Sequence, residues 1–439
     1  MLLVGLLAIG ACDAQSSTVT PRDPKPTQAN TAATITKPSS LTDVAPDPIT
    51  KPPFPRPSLG DVDALVKGEN AFAADLVRAL STQKGNVFVS PASVHAAIAM
   101  AYAGARGVTA SEIASALHFD LPDAKLHPAY QTMLAELTKV DPHGPELRVA
   151  DRLFGQDGLA FDPGFLALTR DRYGAPLAPV DFRLHGDDAR KTINAWVEGQ
   201  TNAKIKDLVP EGALTDDTRL VLANAIYFKG AWATPFDKSS THDAPFTLAD
   251  GSTPKVSTMH TEERLSYFDQ GDAQLVELPF SSGDPARTFT MTIIVPKGAN
   301  TLDAIEAKYD KLPTWLGSMS SKMVELSLPK FHVRSTFELT DALASLGMKS
   351  AFLKGVADFS GITKADHLFV SHVLHQAFVD VDENGAEAAA ATAVMMDGDM
   401  AHVPTAPIAV HADRAFGVVI RDRRSGMILF TGRIADPRG

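Results

Sequence analysis

A single cysteine, Cys12, occurs in 439 residues. No disulfide staples this fold, so its core must hold itself together. Aspartate and glutamate outnumber lysine and arginine, 52 to 41, for a net charge of −11. That balance argues against nucleic acid as a partner. Beyond the first residues no window is apolar enough to cross a bilayer. The signatures that announce catalysis are missing too: no G-x-S-x-G elbow, no glycine-rich phosphate loop, no H-E-x-x-H. A triad assembled in space from scattered residues would leave no such mark, so a hydrolase stays as a rival reading.

Two stretches imitate metal sites. Asp380-Val381-Asp382-Glu383-Asn384-Gly385 matches the first half of a calcium loop, but the twelfth position, where a bidentate glutamate is needed, is Ala391. His367, His372 and His375 lie close in sequence, yet spacings of five and three do not put all three on one side. No metal and no cofactor are expected.

Leu2 to Ala11 is a short apolar run ending in Ile9-Gly10-Ala11-Cys12. Small residues before a cysteine resemble a bacterial lipoprotein signal, and the only cysteine sits where that motif wants it. The run lacks a preceding Lys or Arg, which departs from the pattern. The expectation is a signal peptide over 1–12, lipidation at Cys12, and a protein exported and lipid-anchored in the bacterial cell envelope or extracellular, not cytoplasmic. Residues 13–60 are rich in Pro, Thr, Ser and Ala with few large apolar residues, a composition that builds no core and suits a semi-extended tether.

The ordered domain is expected over 61–439. Leu65, Phe72, Leu76, Val77 and Leu80 have helical spacing. Asn86 to Pro91 reads as a short strand, and Ser93 to Ala103 as a buried helix broken by Gly104 and Gly107. Helices follow over Ser111–Leu117, Tyr130–Leu137, Pro163–Tyr173 and Asp188–Thr201, with a strand over Leu147–Phe154 that Asp151 interrupts. From Thr218 the character turns to sheet. Strands are expected over Leu220–Phe228, Phe246–Leu248, Lys255–Met259, Leu265–Phe268, Ala273–Leu278, Phe289–Val295 and Met323–Leu328. Helices are expected over Leu302–Tyr309 and Phe337–Leu346, and a strand within His367–Val381. No repeat and no later composition break appears, so the domain reads as one α+β unit.

The stretch Asp380–Met396 organises the rest. An acidic turn leads into a run of small residues, Ala388 to Ala393, ending in Val394, Met395 and Met396. Alanine favours helix, and the flanks read as strand. Counted by two, Ala386, Ala388, Ala390, Thr392, Val394 and Met396 share a face with no charge, and Glu387 falls on the other. An exposed loop is the plain reading; burial as a strand is open to it if a sheet parts to receive it.

The chain resembles a serpin over Val62 to Pro437. The matching stretches run in family order: Asn86-Val87-Phe88-Val89-Ser90-Pro91, Leu222 to Gly230 with Trp232 and Pro235-Phe236, Leu328-Pro329-Lys330-Phe331, Leu343 to Met348, Ala357 to Ile362, His375-Gln376-Ala377-Phe378, and Ile428 to Arg433. The resemblance implies three β-sheets, about nine helices and a reactive-centre loop. It also implies a suicide substrate whose cut loop inserts into the large sheet and traps a serine protease, or in some cases a cysteine protease, as an acyl-enzyme. No residue of the chain is then catalytic. The family's hinge corresponds to Glu383, Gly385, Ala386, Glu387, Ala388, Ala389, Ala390, Ala391 and Thr392; its shutter to Ser90, Ser93, Asn224 and His375, which could equally be buried polar groups satisfied in place; and its breach tryptophan to Trp232. The scissile bond follows Asp399 or Met400, with Ala401 and His402 as alternatives, because this segment is longer than the family pattern. The target would be elastase-, chymotrypsin-, subtilisin- or Asp/Glu-specific. No Arg or Lys lies between Gly385 and Arg414, which disfavours a trypsin-like one. A monomer is expected. A serpin-fold binding protein that traps nothing is the other rival.

Overall fold

The computed structural model describes residues 58–284, 288–386 and 406–439. The chain separates into Met1–Pro53 and Phe54–Gly439, and every described residue belongs to the second unit. Cys12 and linker residues 13–57 therefore lie outside the described residues, and so do Glu387 to Thr392 and the scissile candidates Asp399, Met400, Ala401 and His402.

Helix α1 (Leu59–Ala79) begins within the last two residues assigned to the linker. Ser58 starts it with a reciprocal cap: its Oγ accepts the Asp61 N–H, and Asp61 accepts the Ser58 N–H. Strand β1 (Val87–Val89) runs into α2 (Pro91–Gly104), whose first position is a proline already set for helix. Then come α3 (Gly107–Ala116), α4 (Asp123–Leu137), β2 (Glu146–Gln156), α5 (Pro163–Tyr173), β3 (Leu177–Val180) and α6 (Gly186–Gln200). The sheet-rich part holds β4 (Leu220–Ala231), β5 (His242–Pro245), β6 (Lys255–Asp269), β7 (Ala273–Pro279) and β8 (Phe289–Pro296). After α7 (Leu302–Glu306) and α8 (Leu312–Gly317) come β9 (Ser320–Pro329), β10 (Phe331–Glu338), α9 (Thr340–Ser345), β11 (Leu374–Asp382), β12 (Gly385–Ala386), β13 (Ile408–His411), β14 (Phe416–Asp422) and β15 (Ile428–Ile434).

Among the described residues this makes nine helices and three sheets. A six-stranded sheet runs β10-β11-β12-β4-β2-β3. The other two sheets are joined through β6 in the path β1-β15-β14-β8-β7-β6-β9-β13, with β5 on β6. β6 can serve both because it is 15 residues long: its start pairs with β5 and its end with β7. Strands β8 and β14 are buried along their whole length, which explains their largely apolar sequences; the charged exceptions, Arg421 and Asp422, end β14. Phe88, Phe228, Phe280, Phe289 and Phe430 meet in the largest core cluster. Each contributes roughly 1.5–3 kcal/mol by leaving water.

Several expectations change. Phe246–Leu248 is not a strand: β5 precedes it, and Phe246 is a buried plug in the core. Lys255–Met259 and Leu265–Phe268 belong to one strand, because the charged Glu262, Glu263 and Arg264 between them lie on a half-exposed ladder. Phe337 and Glu338 end β10 instead of opening a helix, and β10 itself left no expectation. Helix α4 begins seven residues earlier than Tyr130, with Pro128 inside it. The expected helix Leu302–Tyr309 stops at Glu306.

Candidate functional site

The site lies where β11 turns into β12. Asp382 pairs with Gly385, so Glu383 and Asn384 make a two-residue turn. Asp382 Oδ1 accepts the Asn384 N–H at 2.7 Å and its Oδ2 the Asn384 side-chain amide at 3.2 Å. The carboxylate that imitated a calcium ligand is thus engaged inside its own turn. Gly385 has φ near 150°, where a side chain is disfavoured, and this lets the chain reverse.

The returning strand is only Gly385–Ala386, but it is paired on both sides. Val381 faces Ala386 on β11, while Ala231 faces Gly385 and Gly230 faces Ala386 on β4. Ala386 is 2 % exposed and sits in the main core cluster. Gly230 leaves room beside it: a Cβ there would meet the Phe280 ring at 2.8 Å.

Trp232 clamps this turn. Its backbone N–H donates to Asn384 O at 2.8 Å and its indole Nε1–H to Asp382 O at 3.0 Å. Its ring stacks on Phe280 at 4.7 Å. Phe236 N–H donates to Glu383 O. The Glu383 carboxylate, on a residue 5 % exposed, accepts from Lys330 Nζ at 3.1 Å and Thr241 Oγ1 at 2.9 Å. Burial alone would raise its pKa, but the hydrogen bonds overcome this and hold it below the ordinary glutamate value. Lys330 and Thr241 were not singled out in the sequence; the Leu-Pro-Lys-Phe motif was the available signal for Lys330.

Below β12 no ladder joins β4 to β11 directly among the described residues. A cavity of about 170 Å³ opens there, lined by Val94, Ile98, Leu222, Asn224, Leu374 and His375 among others. Three of the four expected shutter residues meet beneath it. Ser90 N–H donates to His375 Nε2 at 3.0 Å, and Ser90 Oγ donates to Leu429 O while accepting the Ser93 N–H. Burial lowers the His375 pKa to about 4, so its ring is a neutral acceptor. Asn224 does not join them. Its side-chain amide donates to Asp151 Oδ1 on the neighbouring β2 at 2.5 Å. Asp151, the residue that interrupted the strand pattern, is buried, and burial raises its pKa to about 7 against the lowering effect of Asn224. Ser93 Oγ has no partner among the described residues. His367 and His372 are exposed and His375 buried, and no described group has metal-ligating geometry.

The family model described as Serpin (serine protease inhibitor) matches residues 67–437. The leukocyte elastase inhibitor of Equus caballus is 38 % identical over 385 residues, covering 86 % of this chain and all of that protein. An uncharacterised serpin-like protein of Thermococcus kodakarensis is 34 % identical over 447 residues, covering 100 % of this chain and 98 % of its own. Among solved structures, a highly specific serpin of the insect Tenebrio molitor superposes with a TM-score of 0.74 at 33 % identity, covering 85 % of this chain and 98 % of that one. A double-sided hinge strand, a tryptophan clamp and a split central sheet thus occur in a chain that belongs to the serpin family and is a protease inhibitor, not an enzyme.

Proposed function

We propose that the chain is a suicide-substrate inhibitor of serine endopeptidases, with cysteine endopeptidases as further targets. The observation that carries this reading is the seating of Gly385 and Ala386 between β11 and β4. The register of those pairs, continued downward, sets residue 393 opposite Leu374 and residue 396 opposite Leu220, the lower ends of the two flanking strands. The stretch from Glu387 to Met396 therefore has the length of the gap. Its phase also suits: Ala386 faces the core, so the even-numbered residues to Met396 would follow it inward.

The chemistry begins on the protease. Its nucleophile attacks the carbonyl after Asp399 or Met400, and an ester or thioester forms as the C-terminal side leaves with a free amine. The new N-terminal strand then enters between β4 and β11 with the protease attached. Each inserted residue would gain ladder hydrogen bonds on both edges, which would make the uncut form a kinetic trap above the inserted one. Inhibition follows when insertion outruns hydrolysis of the acyl bond. The absence of Arg and Lys between Gly385 and Arg414 favours targets that cut after acidic or apolar residues. Export as a monomer anchored through a lipid on Cys12 completes the proposal; mass spectrometry of the membrane-extracted protein would detect the acyl groups.

The deciding experiment mixes the chain with elastase, chymotrypsin, subtilisin, a glutamyl endopeptidase and a papain-like enzyme. A band that survives denaturation is expected with at least one, and the first residue of the released C-terminal peptide identifies the scissile bond. Cleavage by all five with catalytic turnover and no stable band would favour a serpin-fold protein that traps nothing.

A further inference from the structure

Three histidines far apart in sequence share one face of the sheet that ends in β13. His260 on β6 faces Ser327 on β9, and Ser327 faces His411 on β13. Ser327 Oγ lies 3.0 Å from Nδ1 of both rings. On the other side of His260, the ring of His242 on β5 stacks on it at 4.0 Å and 4°. The His242 Nδ1–H donates to Ser240 O at 3.1 Å. The result is a row His242–His260–Ser327–His411 across four strands. The rings lie in a line and do not surround a point, and no described group has metal-ligating geometry.

We propose that this row is an acid-sensitive latch on β13. It works because Ser327 has one hydroxyl hydrogen. With neutral rings it donates that hydrogen to one Nδ1 and accepts an N–H from the other. When both rings are protonated, both Nδ1 atoms are donors. The hydroxyl hydrogen of Ser327, a residue only 9 % exposed, then has no acceptor in the row. Positive charge also gathers on stacked rings. His260 already resists protonation: burial lowers its pKa first, then His242 and His411, while Glu325 raises it. The groups around the row are His242 on β5, Glu262 on β6, Glu325 on β9, and His411 on β13, with the Asp413–Arg414 ion pair just beyond. Glu262 and Glu325 are exposed and directly opposite one another, so their compensation is screened.

β13 is a good strand to latch. It has four residues and a single ladder, parallel, at the end of its sheet. Ser327 holds it twice, through the His411 ring and through its carbonyl to the Ala412 N–H at 2.9 Å. The consequence rests on the insertion reading above. An uncut loop that reached the lower end of β4 would have to climb back its 12 residues, roughly 40 Å. Residues 397–407 span at most about 40 Å fully extended, which leaves no slack. Release of β13 through Ala415 extends that reach to roughly 63 Å. Acid would thus let the uncut loop insert and spend the inhibitor without a protease.

The test uses the full chain at about pH 7.5 and about pH 5, the window in which imidazoles titrate. Hydrogen exchange over residues 406–413, corrected for its intrinsic pH dependence, should rise on the order of tenfold at the lower pH, the change that one pKa unit represents. Loss of trapping competence, assayed after return to pH 7.5, should accelerate with it. The double variant His260→Gln/His411→Gln should lose most of that acid dependence. Ser327→Ala, a smaller change, should raise exchange of β13 at both pH values and shrink their ratio. Equal exchange at both pH values in the wild-type chain, or an unchanged acid response in both variants, would overturn the latch. Acid-dependent exchange with no trapping at any pH would leave the latch standing and remove the insertion reading instead.

Discussion

Under the proposed mechanism, Ala386 is the residue on which insertion would turn. It is 2 % exposed, inside the core and paired on both sides. A charge there would have to be desolvated among Trp232, Phe280 and Val381 with no partner, at a cost of several kcal/mol. Ala386→Glu should therefore abolish the denaturation-resistant complex and leave a protein that is cut like an ordinary substrate. A gel showing the wild-type yield of complex would refute this. The sequence marks this position because a strand's face is a local property: every second residue from Ala386 to Met396 is uncharged. It did not foretell the hold of Lys330 and Thr241 on Glu383. Those contacts join positions 53 and 142 residues apart, and no local pattern encodes them.

At the scale of elements, the β2–β4 pair departs from expectation. Asn224 turns its amide to Asp151, away from Ser90, Ser93 and His375. Asp151 has its pKa raised to about 7, so the folded state keeps a proton that the unfolded chain releases near 3.8. Folded protein then binds more protons over that interval, and stability falls as pH rises from about 4 to about 7. Asp151→Asn keeps the hydrogen bond and removes the titration. It should leave melting nearly unchanged at pH 4 and stabilise the fold by roughly 2–4 kcal/mol at pH 8. The same gain at both values would sink the argument. Strand boundaries show a parallel lesson. β6 was read as two strands because charged Glu262, Glu263 and Arg264 interrupt its apolar pattern, and the structure continues it because those residues lie on a ladder with β9 that faces solvent in part.

For the whole molecule, the split in the six-stranded sheet carries a thermodynamic prediction. If a cut loop fills the space between β4 and β11, a full strand is added with ladder bonds on both edges, each contributing about 1 kcal/mol net. A nick after residue 399 or 400 should raise the melting temperature on the order of 20 °C. Calorimetry showing no rise would mean the loop does not insert. The α+β class, the order of nearly all elements and the family resemblance were readable from the chain. Helical and strand periods and ordered motifs survive without any knowledge of contacts.

The sequence by itself determined the uncharged alternation from Ala386 to Met396 and the apolar stretches that form β8 and most of β14, because each depends on residues within a few positions of one another. Only the tertiary structure decided that Asp151 would take Asn224, that Glu383 would meet Lys330, and that His242, His260 and His411 would line one face. Those pairings are set by which strands lie side by side and in what register, and register is a property of the assembled sheet.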